Sequence, residues 1–271
     1  MRKVLSRFNL TKNPFSKELD LTDSYKFTKA ATAIRRLKAT VEGRSSAVLC
    51  GEAGVGKTVI VRGLESQLAK GRYRLTYLHN STVNPRDFYR QLGASLGLEP
   101  KATPAALFRT ISQHIEELAS DQKLRPVLIL DEAHLLPLPV LNHLHILLNF
   151  RRDSRSFLSI ILVGLPELRN RLRRNLLSSL AARLPVRINL DPLSTEEVGQ
   201  YITHRMEKAG CSQEVFSEEA ILLIAEATGR VMRKIDVLSW ECLKVASERK
   251  SMIVEQSVVE KALIECAEAI M

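Results

Sequence analysis

Gly51–Thr58 reads Gly51, Glu52, Ala53, Gly54, Val55, Gly56, Lys57, Thr58, which is the spacing G-x-x-x-x-G-K-[ST]. Glycines at these positions let successive backbone N–H groups converge on a phosphate, and the helix that should follow presents its positive end to the same anion. Lys57 would reach the β- and γ-phosphates of a nucleotide, and the Thr58 hydroxyl would ligate Mg²⁺. A second chemical element is VLILDEAH, in which Asp131 and Glu132 directly follow an apolar run. Carboxylates just past a buried strand project into the crevice where open α/β sheets bind ligands. Asp131 suits Mg²⁺, directly or through water, and Glu132 suits the task of orienting and polarising an attacking water. The expected ligand is therefore ATP with Mg²⁺. His134 completes a D-E-A-H string and reads as a first-turn helix residue rather than a catalytic one.

These groups need a scaffold, and residues 47–190 supply the pattern for one. Short β-rich apolar runs alternate there with amphipathic stretches: Ala47–Cys50, Arg74–His79, Val127–Leu130, Ser159–Gly164 and Val186–Leu190. This is the signature of βαβ units in a parallel sheet, and run-like apolarity suits strands covered on both faces. After Leu190 the pattern is helical only. Ser194 and Glu197 have capping-box spacing, and Gly210 and Gly229 are placed to end helices. The expected fold class is an α/β P-loop domain with a parallel five-stranded sheet over 47–190 and a helical lid over 191–271. Residues 1–46 are expected to form a basic segment packed on the core.

Composition narrows the partners. The 271 residues are 45% hydrophobic and 26% charged, which is the profile of a globular chain rather than a disordered one. No stretch approaches eighteen uncharged apolar residues and the N-terminus has no apolar signal core, so a cytoplasmic protein without membrane partners is expected. The four cysteines, Cys50, Cys211, Cys242 and Cys266, lack metal-site spacing and read as buried and reduced. The formal charge of +10 is unevenly spread: residues 1–46 carry +7, 151–187 carry +7, and 191–271 carry −6. In 151–187 all nine basic residues are arginines. Guanidinium groups recognise phosphate bidentately, so contact with the backbone of duplex DNA is expected, with Arg171, Arg173 and Arg174 as candidates. Aromatic residues do not interleave with these clusters, which disfavours stacking on single strands.

The order of these pieces, with the glycine motif and the Asp-Glu motif separated by another strand and a helical segment at the end, resembles the AAA+ ATPases. More narrowly, the chain resembles the ExeA/TniB/TnsC/MuB group of bacterial AAA+ proteins. The pieces that carry the likeness are FNLTKNPF, GEAGVGKT, LILDEAHLL, ILVGLPELR, LAARLPVRINLDPLSTEEVGQYITHRMEKAG and TGRVMRKID. The resemblance implies ATP hydrolysis, assembly into a homo-oligomeric ring or filament on DNA, and regulation of transposition by recruiting or activating a transposase or target-selection protein. A replication initiator or helicase loader, or a secretion ATPase of the ExeA type, are the alternatives it leaves open. It also implies that Arg183 is an arginine finger acting on a neighbouring subunit's γ-phosphate and that Arg233 is the sensor-2 arginine of the lid. One position departs from the pattern. The end of the fourth strand, where these proteins usually carry a polar sensor, reads Gly164-Leu165; slow, switch-like hydrolysis is expected from that.

Overall fold

The five apolar runs become five parallel strands in a computed structural model of the chain, which describes residues 1–16, 18, 25, 27–79, 84–101 and 103–266. The strands are β1 (Ala47–Gly51), β2 (Tyr73–Leu78), β3 (Arg125–Leu130), β4 (Ser159–Gly164) and β5 (Val186–Leu190), in the spatial order β2-β3-β4-β1-β5. The register sets Leu130 beside Leu162 and Cys50 beside Gly164, so β4 runs two residues past the end of β3 and β1 one residue past the end of β4. Residues of β1 and β4 are buried throughout, as strands covered on both faces must be. The outer strands β2 and β5 instead alternate buried and exposed residues.

Helices α4 (Pro85–Ser95), α5 (Pro104–Ser120) and α6 (Leu138–Leu147) cover one face of this sheet. Phe88, Leu92, Leu107, Ile111, Ile115, Leu141 and Leu144 pack with Val48, Leu128, Leu130, Ile160 and Leu162 in one core. Helices α4 and α5 start at the side-chain caps Asn84 and Thr103, each followed by proline at the first helical position. Between β4 and β5 lie α7 (Pro166–Leu172) and α8 (Ser178–Ala182).

The chain divides into two compact units, with one boundary at 190/191 and the others at 28/29, 51/52 and 59/60. One unit holds residues 29–51 and 60–190, the sheet with its helices, including most of α2 (Thr28–Glu42) and α3 (Lys57–Gln67). The other holds 1–28, 52–59 and 191–271. The basic N-terminal segment expected to pack on the core is thus split, and its first part belongs to the helical unit. That unit contains α1 (Arg2–Arg7), α9 (Thr195–Lys208), α10 (Glu218–Ala227), α11 (Met232–Glu248) and α12 (Gln256–Glu265). The capping box of Ser194 and Glu197 forms as read, and Gly210 and Gly229 follow their helices at positive φ.

A buried guanidinium explains why the N-terminal segment joins this unit. Arg205 on α9 is 1% exposed and donates to the carbonyls of Pro14 and Ser16, the latter at 2.8 Å, and to the Tyr201 hydroxyl at 3.1 Å. Tyr201 donates in turn to Asp236 Oδ1 at 2.7 Å, and Phe15 lies under the Arg205 guanidinium. Burial pushes the Asp236 carboxyl up to about 6, against the pull of Arg205, the Tyr201 hydrogen bond and Arg233. The folded state therefore keeps a proton that the unfolded chain releases from pH 3.8 upward. Raising the pH from the ordinary aspartate value of 3.8 to about 6 should cost the wild type stability relative to Asp236→Asn, by up to about 1.4 kcal/mol per pH unit. Urea unfolding of both proteins across that window checks this; a constant difference between them would place the Asp236 proton elsewhere.

All four cysteines are buried, and none of them is in a disulfide. Among the described residues no helix is long and apolar enough to cross a membrane.

Candidate nucleotide site

The glycine loop follows β1 and leads into α3, and its packing partners lie in the helical unit. Gly54 and Gly56 have φ of 85° and 98°, which L side chains rarely adopt. A Cβ on Gly54 would stand 2.6 Å from Arg233 Cβ, and one on Gly56 would stand 2.5 Å from Met232 Cε. The first turn of α11 is therefore seated directly on the loop, and Arg233 N donates to Gly54 O at 3.3 Å. The backbone N and Cβ of Arg233 lie against the glycine loop, with the side chain exposed. Lys57 is buried, and its Nζ donates to Glu52 O at 2.9 Å across the loop, while Thr58 is exposed at the start of α3. Loop glycines without room for a side chain, a buried ammonium and a helix start together fit a polyphosphate.

The carboxylates sit in the sheet unit. Asp131 follows β3 and is buried; its Oδ1 accepts from Glu132 N at 2.9 Å and its Oδ2 accepts from the Tyr77 hydroxyl at 2.6 Å. The same Oδ2 lies 3.8 Å from His79 Nδ1. Burial and the neighbouring Asp131 push the Tyr77 hydroxyl well above its usual range, so it stays a donor to that carboxylate. Tyr77 and His79 were not among the residues singled out from sequence, although both belong to the edge-strand run 74–79. Glu132 adopts φ 51° and opens a 3-10 turn over Ala133–Leu135, with no side-chain cap. Asp131 and the Thr58 hydroxyl are hard oxygen donors of the kind Mg²⁺ takes.

His134 lies in that short 3-10 helix rather than in an α-helix. Its Nδ1 is 3.4 Å from Glu132 Oε2 and accepts from Leu165 N at 3.4 Å. Arg171 on α7 donates to the carbonyls of His134 and Leu136, the second at 2.6 Å, and burial followed by Arg174 lowers its pKa. This corrects its assignment as a DNA contact. A guanidinium that satisfies two backbone carbonyls of the carboxylate turn is already committed, so Arg173 and Arg174, both exposed, are what remains of the candidate trio. Arg183, just past α8, makes an ion pair with Asp153 that holds the Asp153 carboxyl below its usual range. Asp153 ends a run of three positive-φ residues, Arg151, Arg152 and Asp153.

A five-stranded parallel sheet in the order β2-β3-β4-β1-β5, a glycine loop after β1 and an Asp-Glu pair after β3 define an AAA+ P-loop NTPase fold. A family model of the AAA domain matches residues 39–172. The chain is 32% identical over 249 residues, 90% of its length, to General secretion pathway protein A of Aeromonas hydrophila. It spans 45% of that protein, under half its length. Among solved structures it is similar to Cdc6p from Pyrobaculum aerophilum, with a TM-score of 0.71 and 18% identity over 93% of this chain and 70% of that one. It is also similar to the Aeropyrum pernix ORC1 protein in complex with DNA, with a TM-score of 0.65 and 17% identity over 93% and 68%. The Thermotoga maritima RuvB Holliday junction branch migration motor matches with a TM-score of 0.57 and 17% identity over 94% and 73%.

Proposed function

We propose that this chain is an ATP-hydrolysing switch that assembles as a homo-oligomer on duplex DNA and, in that state, regulates a transposase. The observation that carries the ATP half is the seating of Arg233 on Gly54, which ties the lid helix to the backbone that would wrap the phosphates. Lys57 would bind the β- and γ-phosphates, and Arg233 would sense them from the lid. Thr58 and Asp131 would hold Mg²⁺, which when bound neutralises charge on the transferred phosphoryl group. Glu132 would orient a water toward the γ-phosphorus and take its proton as the bond to ADP breaks. Arg183 would supply a second guanidinium from a neighbouring subunit.

The DNA half rests on charge. Arg2, Lys3, Arg7, Lys244 and Lys250 line a groove of about 1070 Å³ in the helical unit, with Glu248 as the one acid. Arg173 and Arg174 are exposed in the sheet unit. The printed description of one similar structure, the ORC1 protein, has it in complex with DNA. Two other readings each have an observation behind them. The 32% identity to a general secretion pathway protein favours a secretion ATPase, and the likeness to Cdc6p favours a replication initiator or helicase loader.

Glu132→Gln should keep ATP bound, slow its cleavage and prolong the DNA-bound assembly, read by nucleotide retention and filter binding. In that trapped state the log of affinity for duplex DNA should fall linearly with the log of salt concentration, by about 0.9 for each phosphate neutralised. Replacing Arg173 and Arg174 together with alanine should flatten the slope by up to about two units without changing sequence preference. An unchanged slope with intact assembly removes these arginines as DNA contacts. Absence of any ATP-dependent duplex binding would leave the secretion reading in front.

A further inference from the structure

The carboxyl end of β4 is chemically bare. Ligands of open parallel sheets sit at the carboxyl ends of their strands, and β4 lies hydrogen-bonded beside the strand that delivers Asp131 and Glu132. Yet β4 ends in Gly164, and Leu165 follows. A Cβ on Gly164 would stand 3.2 Å from His134 N and 3.3 Å from His134 Nδ1. The backbone and ring of His134, together with Leu168 Cδ2 at 3.2 Å, crowd the space that a side chain at the end of β4 would use.

Three further contacts fix the ring there. Leu165 N–H donates to Nδ1 over a long 3.4 Å, so the neutral ring carries its proton on Nε2 and its single Nδ1 lone pair is the acceptor on this side of the ring. Arg171 holds the carbonyl of His134 and that of Leu136, clamping the turn from α7. The side chain is only 11% exposed, so the ring has little freedom to leave. Glu132 is less constrained: it is 36% exposed, in a left-handed conformation, and its Oε2 faces His134 Nδ1 at 3.4 Å.

We infer that His134 is a positioning residue for Glu132, doing from the turn after β3 what a polar side chain at the end of β4 would otherwise do. The inference rests on reading Glu132 as the group that orients the attacking water. With Nδ1 unprotonated, the Glu132 carboxylate can hydrogen-bond to it only after taking a proton. As the water oxygen bonds to the γ-phosphorus and the bond from phosphorus to the ADP oxygen breaks, the water's proton passes to Glu132 Oε2. The resulting O–H then donates to His134 Nδ1. His134 Nδ1 exchanges its long bond from Leu165 N–H for one from the Glu132 O–H and gains no net proton, and Glu132 is aimed along the direction in which the proton must move.

Steady-state ATP hydrolysis with duplex DNA, nucleotide affinity and thermal unfolding are measured for wild type, His134→Ala, His134→Asn, Glu132→Gln and the double variant His134→Ala/Glu132→Gln. His134→Ala should lower kcat by about 10–100-fold, the usual loss when a supporting partner is removed, with KM for ATP and Tm near wild type. His134→Asn places an acceptor oxygen near the position of Nδ1 and should recover most of the rate. In the Glu132→Gln background, His134→Ala should cost little more, because the group it positions is gone. An unchanged kcat, a fall in kcat that tracks Tm or KM, no rescue by asparagine, or an equal loss in the Glu132→Gln background each overturns the inference while Glu132 keeps its role. Wild-type turnover by Glu132→Gln alone overturns the reading of Glu132 itself and the inference with it. Should His134→Ala fail to fold, the asparagine variant carries the test: low kcat with normal Tm and KM in that variant also counts against the acceptor role.

Discussion

Arg183→Ala is expected to lower ATP turnover by about 10³–10⁵-fold, the range over which an arginine finger stabilises a loose phosphoryl transition state. A guanidinium suits that state because its planar donors spread over the equatorial oxygens as charge develops on them. In the isolated chain the same guanidinium is engaged by Asp153. Asp153 is exposed at the end of a left-handed run, and ion pairs open to solvent are weak, so a neighbouring nucleotide can displace it. Asp153→Ala should accordingly leave turnover at or above the wild-type rate. Because the finger acts in trans, turnover should rise with protein concentration. Mixing Arg183→Ala with Glu132→Gln should restore part of the activity, since some mixed interfaces carry neither defect. Turnover that is independent of concentration, or a loss from Asp153→Ala as large as that from Arg183→Ala, would make the ion pair structural and take Arg183 out of the reaction.

Lys57→Ala is expected to weaken ATP binding by about 10²-fold or more. Hydrogen bonds to charged groups contribute about 1.5–3 kcal/mol each, and an ammonium reaching two phosphates makes at least two of them. The buried lysine spans the loop to Glu52 O, so in the free chain it also fixes the loop's own curvature. Both effects are lost with alanine. Isothermal titration with ATP and Mg²⁺ reads the first, and hydrolysis at saturating ATP reads the second. Wild-type turnover in this variant would move the nucleotide site away from the loop.

Much of this was legible in the chain. The five strands begin and end within two residues of the apolar runs that announced them, because buried strands leave a local imprint of consecutive apolar residues. The glycine loop and the Asp-Glu pair were legible because their chemistry tolerates few other residues at that spacing. What escaped was non-local. Arg205 read as one more cation in a charge count and Arg171 as a candidate contact to the DNA backbone, yet each is consumed by carbonyls far along the chain. Nothing in the local pattern tells a guanidinium that meets backbone from one that meets phosphate. The N-terminal segment escaped for the same reason, since its place depends on Arg205 reaching Pro14 and Ser16. His134 read as a first-turn helix residue, and it lies in the short 3-10 helix over Ala133–Leu135. Its approach to Glu132 and Leu165 follows from the register of β3 with β4, which a sequence pattern does not carry.

The path of the chain has a practical corollary for anyone who would dissect it. It passes between the two units four times, at 28/29, 51/52, 59/60 and 190/191, and the eight residues of the second excursion are the glycine loop. Neither unit is therefore a genetic module. A fragment ending at residue 190 would retain every residue of the loop yet lose Val231, Met232 and Arg233, the groups packed on its glycines. A fragment beginning at residue 191 would retain those groups with nothing to seat them on. Swapping lids between relatives by exchanging everything after β5 would leave each recipient loop against a foreign helix start, and the compatible graft is one that carries residues 52–59 with the lid it came from.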